Sequence, residues 1–491
     1  MTEEKRVLAF DFGASSGRAV IGIFDGRTIR MEEIHRFSND PVIISGTMYW
    51  DILRLFHEVK QGLVKAHLAG RIDSIGVDTW GVDFGLLDKD GMLLENPVHY
   101  RDSRTNGMMA EVLRDIDKKE LYEITGNQLM EINTLFQLKA LADKRPDVLA
   151  RADTLLLIPD LLNYFLCGAK KTEYSIASTT QLLDAKKRCW SEKIIEKLQL
   201  PAHIFTEIVP TATRLGRLSA DIANELSMER PEVIAVAGHD TQSAMAAVPT
   251  EKADFLFLSC GTWSLLGTEL AEPIINEASL AADVTNEGGY GGKASFLKNI
   301  IGLWMIQESR RQWMREGKEY SFGELELLAR QAKPFQSFIN PDASEFVSSG
   351  NMPERIRAYC RRTNQHVPQS PGEIVRCIDE SLAMRYRQAA LEIESCTQKN
   401  YAVLHMIGGG IQSQLLCQLT ANACQKKVEA GPVEATVIGN IALQLLASDS
   451  IKDIQTARQV VMKSEPVATY EPKDAAEWEK MYARWEECTS C

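Results

Sequence analysis

No apolar run in this chain approaches the roughly 18 residues that a membrane-spanning helix needs, so no membrane partner is expected. Positive charge is not in excess. The 55 Lys and Arg stand against 67 Asp and Glu, a formal net charge of −12. A surface of that sign disfavours the phosphate backbone of nucleic acid as a partner. The first residues, Met-Thr-Glu-Glu-Lys-Arg, run into a strand pattern without the apolar core of a signal peptide, and a cytoplasmic location is expected. The ten cysteines form no metal-type Cys-x-x-Cys pair in the body of the chain; Cys488 and Cys491 come nearest, at its end. Most are expected reduced and partly buried. Cys360 and Cys377 flank a polar loop and are the pair placed to approach each other. No low-complexity segment occurs. The stretch 338–354, with Pro341, Ser348, Ser349, Gly350 and Pro353, is the most linker-like. A Walker A loop, Gly-x-x-x-x-Gly-Lys-Ser/Thr, is also missing, which excludes that route to nucleotide binding.

What is present fits a soluble globular protein: 491 residues, 45% hydrophobic and 25% charged. That length suits two large domains or roughly three ordinary ones. The most informative stretch is 8–18, Leu-Ala-Phe-Asp-Phe-Gly-Ala-Ser-Ser-Gly-Arg. An apolar run reaches one acid, Asp11, turns through small residues, and leaves as Ala19-Val20-Ile21-Gly22-Ile23-Phe24. This is strand, tight turn, strand. The amides of Ala14, Ser15, Ser16 and Gly17 can line an anion-binding concavity, with Arg18 beside it. Asp11 at the strand end is placed to hold a metal through water, and the whole suits a triphosphate with Mg²⁺. An ordinary hairpin with Gly and Ser in its turn is the alternative.

Residues 254–268 repeat the pattern: Asp-Phe-Leu-Phe-Leu-Ser-Cys-Gly-Thr-Trp-Ser-Leu-Leu-Gly-Thr. Gly261 corresponds to Gly13, and Ser259 to Asp11. The spacing of about half a chain predicts two similar domains, 1–250 and 251–491, each offering a phosphate hairpin to a shared cleft.

In the first half, strand patterns at 6–12, 18–24 and 28–37 precede a helix over 51–69, with Leu53, Phe56, Val59, Leu63 and Ala66 on one face. A strand over 72–80 follows. A second strand from Val82 to Leu87 leads to a turn at Lys89-Asp90-Gly91. Helices are expected over 105–168, a buried strand over 232–237 and a helix over 241–248. The second half carries helical patterns at 298–316, 322–333 and 373–396, a strand over 402–407, and helices at 411–424 and from Glu434 onward. Alternating strands and helices in two halves give an α/β class, with ligands at the carboxyl ends of strands.

Three further constellations carry chemistry. Gly238-His239-Asp240-Thr241 lies at a strand-to-helix turn. Asp240 can take a proton from a sugar hydroxyl while His239 and Thr241 hold neighbouring hydroxyls; helix capping by Asp240 is the structural alternative. Asp78-Thr79-Trp80-Gly81-Val82-Asp83 places one indole and a close backbone approach at a strand end, which suits an apolar sugar face. A purely structural Trp80 is the alternative. Gly408-Gly409-Gly410 ends a buried strand, as in a nucleotide-binding turn or a plain bend.

These residues, together with Tyr100 to Gly107, Leu297 to Ile300, Gly302-Leu303-Trp304 and Ala430 to Ala435, resemble the FGGY carbohydrate kinases of the actin/Hsp70/sugar-kinase superfamily along nearly the full chain. The resemblance implies two ribonuclease-H-like domains flanking a catalytic cleft, with ATP and Mg²⁺ as cofactors. It implies transfer of the γ-phosphoryl group to O1 of a ketose, L-rhamnulose. By matching motif positions, Asp240 is the base; Gly81, His239 and Thr241 contact sugar; and Ala14, Ser15, Ser16, Gly17, Arg18, Thr262, Gln307 and Gly409 meet the nucleotide. Asn299 lies on the sugar or phosphate side, and Asp11 holds Mg²⁺ indirectly. Cys260 stands where relatives have Ser, a near-isosteric change behind the loop. The rival substrate is L-fuculose or another ketose. A chaperone or filament ATPase of the same superfamily is disfavoured by the Gly-His-Asp-Thr turn, and a regulator without catalysis by the retention of both Asp11 and Asp240.

Overall fold

Alternation of buried side chains places the first strand at the centre of a sheet. In the computed structural model, which describes residues 4–489, Val7 and Ala9 enter one apolar cluster. Leu8, Phe10 and Phe12 enter another on the opposite face. A strand buried on both faces belongs inside a sheet covered by helices on each side. Helix Ile52–Ala69 covers one face with Ile52, Leu55, Val59, Leu63 and Ala66. Helix Ala435–Ala447 covers the other with Val437, Ile438, Ile441 and Leu445.

The chain forms two compact units, and they do not follow a single cut near residue 250. Unit 1 gathers Met1–Glu251, Leu270–Phe296 and Ala435–Ser464; unit 2 gathers Lys252–Glu269, Leu297–Glu434 and Glu465–Cys491. The physical reason lies in the sheet just described. Its second apolar face is covered by a helix from near the end of the chain, so that segment packs with the N-terminal unit.

The unit 1 sheet contains β1 (Lys5–Phe12), β2 (Ser16–Phe24), β3 (Ile29–Ser38), β4 (Ser74–Thr79), β5 (Thr213–Arg217) and β6 (Glu232–Ala235). Their order is β5-β6-β4-β1-β2-β3. β1 and β2 form an antiparallel hairpin pairing Asp11 with Arg18 and Phe12 with Gly17. β4 lies parallel to β1, which sets Asp78 opposite Asp11. β6 is parallel to β4, and β5 closes the edge antiparallel.

Unit 2 repeats this topology with β7 (Leu256–Cys260), β8 (Trp263–Leu270), β9 (Ala294–Ile301), β10 (Val403–Ile407), β11 (Lys427–Ala430) and β12 (Ala468–Tyr470). The seven-stranded sheet starts at an edge strand, Thr285–Gly288, and continues in the order β9-β8-β7-β10-β11-β12. β7 and β8 form the hairpin, β10 and β11 follow in parallel, and β12 closes antiparallel. The two hairpins therefore hold equivalent places in equivalent sheets. That is the repeat expected from Gly13 and Gly261.

Four local expectations differ from the structure. Leu53 is 61% exposed, so the buried face of its helix starts at Ile52 instead. The helix expected from 298 begins at Trp304, because 298–301 complete strand β9. The helical region 105–168 is broken by a strand, Thr154–Leu157, which pairs with Phe84–Leu87. The linker-like stretch 338–354 is part of unit 2, anchored by the buried Phe338, Ile339 and Phe346. Cys360 and Cys377 are both buried free thiols. Of the Cys488–Cys491 spacing, Cys491 lies outside the described residues.

Candidate active site

In unit 1, three acids gather at the carboxyl ends of adjacent strands. Asp11 is the penultimate residue of β1, Asp78 the penultimate residue of β4, and Asp240 follows β6 after a short turn. The turn is stitched to the sheet: Thr79 N donates to Gly238 O at 2.9 Å, and Thr79 bridges His239 in parallel register. The cap residue of helix Asp240–Ala246 is His239, so Asp240 occupies the first helical position rather than the cap. Its carboxylate accepts from Thr241 Oγ1 at 3.2 Å, and its side chain keeps 31% exposure.

Burial raises the Asp240 pKa, His239 beside it pulls it down, and Asp11 pushes it up again. Asp78 is raised well above the ordinary carboxylate range, by burial first and by Asp11 second; its hydrogen bond from Asn440 Nδ2 opposes both. Burial lowers the His239 pKa, yet the carboxylate of Glu287 outweighs it and sets the imidazole at about 9. A base of raised pKa beside a cationic donor is suited to abstracting a hydroxyl proton.

The β1–β2 turn closes as a tight hairpin, as its composition predicts. Gly13 N donates to Ser16 O at 2.9 Å and closes the turn. Ala14 and Ser16 are partly exposed, Ser15 is exposed and Gly17 is buried. A side chain at Gly17 would run into the Phe37 ring, which would have to move to make room. The turn is held from behind by Asn39, whose Nδ2 donates to Gly13 O at 2.9 Å and whose N donates to Ser15 O at 3.1 Å. Arg18 donates through Nε and Nη2 to one oxygen of Asp11, Oδ2, at 2.9 and 2.8 Å. Among the described residues, no group of three His, Cys, Asp or Glu side chains is arranged to hold a metal ion. One acid shared with an arginine fits a metal held through water on a phosphate, as Mg²⁺ prefers, better than a cage of direct protein ligands.

Trp80 and Gly81 sit on a strained turn. Val82, a β-branched residue, has φ of 67°, a left-handed conformation that such residues rarely adopt. Buried partners impose it. Thr134 Oγ1 donates to Val82 O at 2.6 Å, and Val82 N donates to Thr179 Oγ1 at 3.1 Å. Next to it, Asp83 accepts from Trp50 Nε1, Trp80 Nε1, Gln137 Nε2 and Tyr100 N at 2.6, 3.0, 2.9 and 3.1 Å. Burial raises Asp83 to about 6 despite these donors. The Trp80 indole lies 4.1 Å from that of Trp50, centroid to centroid, and keeps 5% exposure.

Unit 2 holds the remaining candidates: Thr262, Asn299, Gln307 and Gly409. Thr262 sits in the β7–β8 turn, where Gly261 N donates to Trp263 O at 2.9 Å. Its hydroxyl lies 3.3 Å from the Gln307 amide. Gly302 N and Trp304 N both donate to Thr262 O at 3.2 Å, which ties the start of helix Trp304–Arg315 to the turn. Asn299 is half-buried on β9. Gly408 has φ of 88°, a conformation open to glycine, and Gly409 is exposed with no neighbour near its missing side chain. Gly410 packs on Cys260 so closely that a Cβ would overlap Sγ. Cys260 is thus a packing residue beneath the glycine turn, its thiol pushed up to about 12 by burial.

Several residues that shape the site carry no local sequence signal. Glu287 pairs with His239 across 48 residues, and Asn440 reaches Asp78 across 362. Glu173 accepts from Gly238 N at 2.9 Å and from Ser175 and Thr211, bracing the turn that carries His239.

Sequence and fold comparisons identify relatives of this chain. The sequence model for the FGGY family of carbohydrate kinases, N-terminal domain, matches residues 6–247, and that for its C-terminal domain matches 256–448. A protein of Bacteroides thetaiotaomicron named rhamnulokinase is 42% identical over 486 residues, 99% of each chain. One so named from Pectobacterium atrosepticum is 40% identical, covering 98% of this chain and 96% of its own. Among solved structures, a ligand-bound xylulose kinase from Lactobacillus acidophilus superposes with a TM-score of 0.79 at 15% identity, covering 98% and 97% of the two chains. A Plasmodium falciparum glycerol kinase with ADP gives 0.77 at 15%, again over 98% and 97%. At such identities the structural likeness speaks for the fold, which is the two-domain α/β fold of these kinases.

Proposed function

Because the chain belongs to the FGGY family of carbohydrate kinases, we propose that it transfers the γ-phosphoryl group of ATP to O1 of L-rhamnulose, giving L-rhamnulose 1-phosphate and ADP. The observation that carries the chemistry is the part-exposed Asp240 carboxylate, raised by burial and set beside the His239 ring. The substrate comes from the relatives, whose shared name accompanies about 40% identity over nearly the whole chain.

In this reading Asp240 accepts the O1 proton as the bond to phosphorus forms. Phosphoryl transfer passes through a loose transition state, so positioning and charge stabilisation dominate. His239 and Thr241 hold neighbouring hydroxyls, the Gly81 backbone approaches the sugar, and Trp80 offers its indole. The amides of Ala14, Ser15, Ser16 and Gly17 and the side chain of Arg18 receive phosphate oxygens. Thr262, Gln307 and Gly409 meet the nucleotide, and Asn299 the sugar or phosphate. Mg²⁺, held through water by Asp11, would neutralise charge on the phosphates. No helix among the described residues is long and apolar enough to cross a membrane, and the reading places the reaction in the cytoplasm with small molecules as partners.

The test is product identity. Incubation with ATP, Mg²⁺ and L-rhamnulose is expected to yield one phosphate monoester, with ³¹P–¹H coupling to the two C1 protons. Phosphate at another carbon, or no ester at all, would refute the proposal.

A further inference from the structure

His239 is the candidate sugar ligand whose surroundings are most tightly specified. Its ring carries two nitrogens with separate tasks. Nδ1 lies 2.8 Å from Glu287 Oε2, and that carboxylate is 5% exposed. The same oxygen accepts from Gln242 Nε2 at 3.0 Å, and Gln242 Oε1 accepts from Ser295 Oγ at 2.7 Å. Gln242, Ser295 and Glu287 itself are buried, so the carboxylate is fixed in place. The backbone is fixed too: His239 N donates to Ser175 Oγ at 3.3 Å, and Gly238 N to Glu173 Oε2. Nε2 lies on the Asp240 side, 3.6 Å from Oδ1.

An ionised carboxylate only accepts hydrogen bonds, so Nδ1 must carry a proton toward Glu287. The open question in such a ring is the state of Nε2. A neutral ring would present a lone pair beside Asp240, acceptor against acceptor. A doubly protonated ring presents an N–H to Asp240 and to a hydroxyl held there. We propose that Glu287 is a positioning residue for the ketose site: it holds His239 as an imidazolium whose Nε2–H donates to the sugar hydroxyl next to the one that Asp240 deprotonates. This rests on the reading of Gly238–Thr241 as the sugar-binding turn. A donor on the adjacent oxygen strengthens as negative charge develops on O1, which favours the transition state over bound substrate. The charged groups that face the ring are Glu287 from the strand Thr285–Gly288, Asp240 from its own turn, and Glu173 from across the turn. All three are acids, and all favour the cation.

Two measurements test this. The first needs no substrate. In ¹⁵N-histidine-labelled enzyme at pH 7.5, one ring assigned through His239→Asn is expected to have both nitrogens protonated. In Glu287→Gln, which keeps the shape and one acceptor oxygen, that ring is expected to be neutral. The second is kinetic: Glu287→Gln is expected to lower kcat about 10- to 100-fold, with the KM for ATP unchanged and the melting temperature preserved. A neutral His239 in the unmodified enzyme overturns the proposal without any variant. So does a Glu287→Gln enzyme with unchanged kcat, or one whose ATP and ketose parameters fail together, as a merely structural role would produce. If no ketose is phosphorylated, the assignment of function fails while the spectra still judge the state of His239.

Discussion

Asp240→Asn is expected to fold and to bind ATP as the unmodified enzyme does, and to lose about 10²–10⁴ in kcat. The carboxamide matches the carboxylate in shape, and the helix start does not depend on it, because His239 occupies the cap position. What disappears is the acceptor for the O1 proton. The substitution also removes one of the acids crowding Asp78, so the fold is not expected to suffer. Steady-state kinetics with nucleotide binding by fluorescence or calorimetry checks both halves. A variant with near-normal kcat would remove Asp240 from the chemistry.

Gly439→Ala is expected to damage both stability and catalysis. Gly439 lies in helix Ala435–Ala447, where a Cβ would overlap the carbonyl of Ser243. Ser243 belongs to helix Asp240–Ala246, whose first residue is the proposed base. The obstacle is backbone on both sides, so no side chain can swing away, and the two helices must separate. Overpacking of this kind costs about 1–3 kcal/mol. Displacing the base by roughly 1 Å can cost about 100-fold in rate. Gly323→Ala is the control: it too lies in a helix, Phe322–Gln331, with open space at its missing Cβ. There alanine is expected to stabilise by about 0.5–1 kcal/mol with activity unchanged. Thermal melting and kcat/KM of the two variants decide the matter. Equal behaviour would mean that the helix contact does not control the base.

Much of this architecture is legible residue by residue. Asp11 to Arg18 reads as a phosphate hairpin because apolar runs, one acid and a run of small residues are neighbours in sequence. The repeat at Ser259 to Ser264 reads for the same reason, and both hairpins take equivalent places in their sheets. The turn at Asp240 is equally local. Where the pattern misleads, two periodicities compete. In residues 298–301 the apolar Ile300 and Ile301 fit a helix continuing into Trp304, yet the stretch completes β9, a strand that tertiary pairing selects. Leu53 fits the helical stripe but lies one position from the buried face. Contacts over long separations leave no local mark. Glu287 is a lone acid in a polar stretch until the fold carries it to His239. Asn440 and Gln444 sit in an apolar helix and look like isolated polar residues. Once folded, Asn440 donates to Asp78, while Gln444 donates to Leu8 O and accepts from Ser74. The compact units interleave across the boundary expected near residue 250 for the same reason: the helix that completes unit 1 is supplied from Ala435–Ala447.

In the proposed reading, buried polar groups around Trp80, Gly81 and the His239–Thr241 turn select L-rhamnulose over other acceptors. Such groups penalise an acceptor that leaves one of them unpaired by about 1–3 kcal/mol. The most direct test is kcat/KM for L-rhamnulose, L-fuculose, D-xylulose and glycerol under one set of conditions with saturating ATP and Mg²⁺. L-rhamnulose is expected to exceed each of the others by at least about tenfold. A value for L-fuculose or D-xylulose equal to or above that for L-rhamnulose would contradict the substrate assignment.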